Sequence, residues 1–141
     1  MSAKPIFATP MDVEAAFYEA LEQGDLEAVM AVWAEDEEIV CVHPGGPRLV
    51  GYASIREAWR RLLAGGNRLR IRPSRHSIIQ NPFTAIHSLL EQMPAEEAGQ
   101  PQPVVVATNI YVRGPLGWRL VHHHASSAPP DLSLDTPKTL H

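Results

Sequence analysis

Apolar residues recur at helical spacing three times in the first half of the chain, and at strand spacing through most of the second. Val13, Phe17 and Leu21 fall four apart with Ala16 and Ala20 beside them, which predicts an amphipathic helix over 10–23. Its start is written in Thr9-Pro10-Met11-Asp12: a threonine cap, a proline in the first turn and an acid near the positive end of the dipole. Gly24 ends it, and Asp25 caps a second helix over 25–34 with Leu26, Val29, Met30 and Trp33 as its buried face. Ile55, Ala58, Trp59, Leu62 and Leu63 predict a third over 52–64, with Ser54 and Glu57 as a capping box and Gly65-Gly66 as its close.

Between the second and third helices, Ile39-Val40-Cys41-Val42-His43 predicts a short strand near 38–43. It is apolar on both faces, so it needs a layer on each side. Pro44-Gly45-Gly46-Pro47 stops it. From residue 68 the pattern is that of strands. The first, 68–79, opens in strict alternation, with Arg68, Arg70 and Arg72 on one side and Leu69 and Ile71 on the other. Further strands are predicted near 83–92, 104–113 and 117–127, separated by Asn81-Pro82, by the polar, proline-rich 94–103, and by Gly114-Pro115-Leu116-Gly117. Helices followed by strands predict an α+β fold: a curved, mostly antiparallel sheet wrapped around three N-terminal helices. Such a cone has an open mouth, a natural place for a ligand. The expected organisation is one domain over 1–127 and a flexible C-terminal tail over 128–141.

Composition narrows the class. The 141 residues are 45% hydrophobic and 20% charged, ordinary for one globular domain. No run of about 18 apolar residues predicts a membrane span. The opening MSAKPIFATP has no apolar signal core, and the single Cys41 has no partner for a disulfide, so a cytoplasmic setting is expected. Net charge is −4, but residues 1–50 hold ten of the sixteen acids and residues 56–75 hold seven of the twelve bases. An acidic chain with one arginine cluster argues against nucleic-acid binding. It leaves three uses for the cluster: a small anion, ion pairs between elements, or a solvated face.

The densest chemistry is Gly117-Trp118-Arg119-Leu120-Val121-His122-His123-His124-Ala125-Ser126-Ser127. In a regular strand Trp118, Leu120, His122, His124 and Ser126 share one face, and Arg119, Val121, His123 and Ala125 the other. Three consecutive histidines therefore cannot serve one metal. His43 could join two of them around zinc, but the spacing is not that of a metal motif, and neither metal nor cofactor is expected. The histidines are then structural, bonded to Ser126, Thr108 or Asn109, or they orient a ligand and supply a base. Tyr18, Tyr52 and Tyr111 can line the mouth, while Trp33, Trp59 and Trp118 read as core anchors. His87 reads as a satisfied core histidine and Cys41 as a small buried filler. Glu91 is the one carboxylate well inside a predicted strand, so no carboxylate pair for concerted acid–base work is visible, which favours binding over catalysis.

The element order, VCVHPGGPRLVGYASIREAW and the closing GWRLVHHHASS resemble the SnoaL-like branch of the nuclear transport factor 2-like superfamily, over roughly residues 10–127. The closing strand is also similar to that of the calcium/calmodulin-dependent protein kinase II association domain, in which a tryptophan precedes alternating histidines. The resemblance implies a cone with an internal pocket and a homodimer through the outer face of the sheet. It places His122 and His124 inside and His123 on the dimer side. The expected pocket is His122, His124, His43, Tyr18, Trp118 and Ser126. Two functions are open: a binding or assembly module for a small organic ligand, an anion among the options, or a small cofactor-independent isomerase, dehydratase or hydrolase with a pocket histidine as base.

Overall fold

The computed structural model describes residues 4–94, 99 and 103–129. In chain order come α1 (Pro10–Gln23), α2 (Leu26–Ala31), β1 (Val40–Val42), β2 (Arg48–Val50) and α3 (Tyr52–Leu62). A 3-10 turn (Ala64–Gly66) leads to β3 (Arg72–Gln80), β4 (Thr84–Gln92), β5 (Val104–Gly114) and β6 (Gly117–Ser127). The tail lies outside the described residues from 130 onward, as does most of the 94–103 loop.

Local chemistry sets the first two helices as expected. Thr9 Oγ1 accepts from the Asp12 N–H at 3.1 Å, and Asp25 Oδ1 from the Ala28 N–H at 3.1 Å. Gly24 closes α1 at φ 67°, and a Cβ there would stand 2.7 Å from the Asn67 carbonyl oxygen. Only glycine lets the segment after α3 cross the end of α1 so closely. α2 is shorter than 25–34 because the chain leaves it to join the sheet: Leu120 N–H donates to Val32 O and Ala34 N–H to Leu120 O. α3 begins behind Gly51 without a side-chain cap, so the Ser54–Glu57 box does not form. Glu57 instead accepts from Arg60 and Arg61 on the exposed face.

The six strands lie in the order β2-β1-β6-β5-β4-β3, antiparallel except where β1 runs parallel to β6. β2 was not expected. The turn after His43, with Gly45 at φ 72° and the Gly46 N–H bonded to His43 O at 2.8 Å, reverses the chain so that Val40 pairs with Val50. β3 starts at Arg72 rather than 68, because its partner β4 ends at Gln92, directly opposite Arg72. Residues 68–71 therefore have no ladder to join, and the Leu69 N–H bonds to Leu21 O.

The helices cover one face of this sheet. Phe17, Leu21, Trp33, Ile55 and Trp59 meet Ala85, Leu89, Ala107, Tyr111 and Leu120 in the core. Phe17 and Trp59 pack edge to face at 5.7 Å, a favourable aromatic geometry. Among the described residues no helix is long and apolar enough to cross a membrane.

Candidate functional site

Two β-bulges decide which histidines face the helices. In β6 the pairing slips between Ile110 and Tyr111: Tyr111 pairs with Leu120 but Ile110 with His122, so Val121 is an extra residue. Leu120 points inward, and the added residue hands the inward face to His123 and Ala125. In β3 the slip lies between Ser74 and Ser77, so that Arg75 and His76 stand opposite Leu89 alone. Arg75 takes up the turn in a left-handed conformation at φ 56°, the only such non-glycine residue among those described. His76 is thereby turned toward α1.

What the bulge aims at is Glu14. This carboxylate sits on the buried face of α1, four residues before Tyr18, and is 1% exposed. His76 Nε2 lies 2.6 Å from its Oε2; His87 Nδ1 and the Tyr111 hydroxyl each lie 2.9 Å from its Oε1. Burial by itself would raise the Glu14 pKa, but hydrogen bonds from His87, His76 and Tyr111 outweigh it and hold the group below its usual value. Burial, and then the Glu14 charge, push the Tyr111 hydroxyl well up, so it stays a donor. The other ring nitrogen of His87, Nε2, is fully buried and has no protein partner. His76 keeps 23% of its side chain exposed and links the cluster to solvent.

A second chain of polar groups runs beside the first. The Tyr18 hydroxyl donates to Glu91 Oε2 at 2.6 Å, so it must accept from Asn109 Nδ2, at 3.0 Å. That fixes the Asn109 amide with its oxygen toward His123, whose Nδ1 donates to it at 2.5 Å. His123 Nε2 then faces Glu91 Oε2 at 4.0 Å. Burial, followed by the neighbouring histidines His43, His122 and His124, depresses His123 to about 3, so the ring is neutral. Burial raises Glu91 to about 6, against the hydrogen bond from Tyr18 and with help from the Glu14 charge. The two carboxyl groups share one interior, yet their environments drive them apart.

The expected pocket set separates. Tyr18 and Trp118 are inside, and His43 is half-buried, packed edge-on against Trp59 at 4.6 Å. His122, His124 and Ser126 are not inside: they stand on the outer face, paired with Ile110, Thr108 and Val106. His123, expected outside, is the interior histidine. The Val121 bulge is the physical reason for both corrections. Asn109, named as a partner for a structural histidine, does bond one, and His87 is the core histidine expected of it. The sequence showed only Glu91 as an inward carboxylate; the interior holds a second, Glu14, because it comes from a helix and not from a strand. Glu14 had a signal: it falls on the same helical stripe as Val13, Phe17 and Tyr18, where an apolar residue belongs. Among the described residues no group of three or more His, Cys, Asp or Glu side chains is arranged to hold a metal ion.

Clefts open at the surface among the described residues. One of about 530 Å³ lies at the end of β3 and β4, lined by Glu22, Arg70, Ile71, Arg72, Pro73 and Met93 among others. Another, about 410 Å³, lies beside the β5–β6 turn, between Leu116, Val112 and Glu35.

A helix-covered, bulged sheet with a buried polar interior places the chain in the cystatin-like, nuclear transport factor 2-like class. The chain belongs to the SnoaL-like domain family, whose model matches residues 11–130. It is similar to a structure from Thiobacillus denitrificans provisionally described as a calcium/calmodulin-dependent protein kinase type II association domain. That likeness is 36% identical, covers 89% of this chain and 99% of the other, and has a TM-score of 0.81. A protein of the same superfamily from Streptomyces avermitilis, provisionally described as a dehydratase, is 28% identical over 82% of this chain and 91% of its own, at a TM-score of 0.70. An NTF2-like protein of unknown function from Pseudomonas putida, 20% identical over 92% of this chain and 89% of its own, shares the fold at a TM-score of 0.72. A search of curated proteins finds no match.

Proposed function

We propose that this SnoaL-like domain binds a small polar organic molecule at the Glu14 cluster and moves a proton on it without a cofactor, as an isomerase or dehydratase does. The observation that carries this reading is one ionised, buried carboxylate accepting from two histidines and a tyrosine. A buried polar cluster is weak as a stabilising device, since apolar residues of equal size hold a core at least as well. Groups with strongly shifted acidity that converge from separate elements are the common mark of proton-transfer sites. His76 is the base: Glu14 holds one ring nitrogen, which orients the ring and leaves Nδ1 for a substrate proton. Glu91, at about 6, is the group suited to return a proton near neutrality. The likeness to a provisionally described dehydratase agrees with this.

The test is solvent exchange. Small ketones, hydroxy acids and keto acids incubated in D2O are followed by proton NMR with the wild type and with Glu14→Gln. Exchange at carbon next to a carbonyl, reduced at least about a hundredfold in the variant, is the expected result. A binding module without turnover is the second reading, supported by the burial of Glu14, His87 and Tyr111. Ligands that shift the melting temperature yet never exchange would favour it.

The domain's partner in this reading is a second copy of itself, in the cytoplasm. The outer face carries Ile79, Ile86 and Val112, all exposed, grouped around Ile110 across β3, β4 and β5, with the exposed Val106 farther along β5 beyond Thr108. Such a group is a larger apolar patch than a monomer ordinarily leaves to water.

A further inference from the structure

We infer that the 530 Å³ cleft at the end of β3 and β4 is a binding site for a small organic carboxylate, held by Arg70 and Arg72. This goes beyond the proposed function, since neither Glu14 nor its partners His76, His87 and Tyr111 line the cleft. Arg70 and Arg72 are two residues apart on the extended segment entering β3, so their side chains leave on the same side, roughly 7 Å apart. Both are exposed, and among the described residues neither guanidinium has an ion-pair or hydrogen-bond partner. The α3 arginines Arg56, Arg60 and Arg61, by contrast, are held by glutamates. In an acidic chain, a cleft with two unengaged guanidinium groups has a strong preference for an anion, and the planar fork matches a carboxylate.

The remaining walls choose among anions. Ile71, Pro73, Met93 and Pro94 are apolar and take a hydrocarbon body; Glu22 and Gln92 are the polar exceptions. A bare inorganic ion would leave that surface wet. The volume suits a molecule of metabolite size. The cleft also borders the interior. Pro73 lies directly across the ladder from Glu91, and Met93 follows the end of β4 two residues after Glu91.

The experiment titrates the full-length protein with benzoate and hexanoate, and with benzamide and hexanamide as uncharged controls, by calorimetry and ligand-observed NMR. The expected result is saturable carboxylate binding that weakens with salt and drops at least about tenfold in Arg70→Ala/Arg72→Ala, with the amides weaker by a similar factor. Glu22→Gln should tighten binding by removing a like charge from the cleft, a check that survives if the double variant does not fold. No saturable binding, equal binding of amides, or binding unchanged in the double variant overturns the site. Carboxylates that bind through the arginines confirm the site whether or not the Glu14 cluster moves a proton, so the two readings fail separately.

Discussion

His123 stands directly across the β5–β6 ladder from Asn109 and donates to its side-chain oxygen at 2.5 Å. The bond orders the whole interior relay, because Asn109 then turns its amide hydrogens toward Tyr18, and Tyr18 donates its hydroxyl to Glu91. A ring that touches Phe17 and Trp59 as well as Asn109 is a core group, whatever else it does.

His123→Ala should therefore cost about 2–4 kcal/mol, from the cavity left and the Asn109 oxygen stranded in it. His124→Ala, on the outer face, should stay within about 0.5 kcal/mol for the isolated subunit. Urea denaturation of both variants checks the contrast. Equal losses would mean that the Val121 bulge is misplaced and that the inward face belongs to the even-numbered histidines.

Glu91 makes stability depend on pH in a defined direction. Its folded-state value is raised from 4.5 to about 6, so the folded protein holds this proton more tightly than the unfolded chain. Its contribution is full below 4.5 and is lost as pH rises through about 6, a change of about 2 kcal/mol. Glu14 and His123, both lowered, act oppositely and cost stability as pH falls. The difference between wild type and Glu91→Gln isolates the first effect. A difference that stays flat between pH 4 and 7 would contradict the assignment.

At Arg75, backbone conformation matters more than side-chain size. The φ of 56° is one that glycine adopts freely and a β-branched residue resists. Arg75→Gly should be at least about 1 kcal/mol more stable than Arg75→Val, and only the valine variant should withdraw His76 from Glu14. Melting temperatures order the two variants, and NMR of the His76 ring reports the contact. Valine tolerated as well as glycine would show that the bulge does not need the left-handed residue.

Ile86→Glu places a charge in the middle of the outer face, beside Ile79 and Ile110. If a second copy covers that face, light scattering should give a dimer for the wild type and a folded monomer for the variant. A wild type that is monomeric at micromolar concentration would remove the homodimer. A ring larger than a dimer would point to assembly of the kinase-association kind.

What is local in this fold is legible in the chain alone. Thr9, Gly24 and Asp25 mark helix ends because a cap is an interaction over three or four residues, and the helical stripes of α1 and α3 are visible because their period is short. The run of strands after residue 66, and with it the α+β class, follows from alternation and turn residues in the same way. Even Glu14 left a mark, as an acid in an apolar stripe. Only the tertiary structure decided which histidines are inside. Strand parity is relative, and one extra residue at Val121 exchanges His122 and His124 for His123. That bulge is a feature of the pairing with β5, not of LVHHHAS alone. The same holds for the site. Glu14, His76, His87 and Tyr111 are up to 97 residues apart in the chain, and nothing between neighbours in sequence records that they meet. Four elements must fold together before three donors close on one carboxylate.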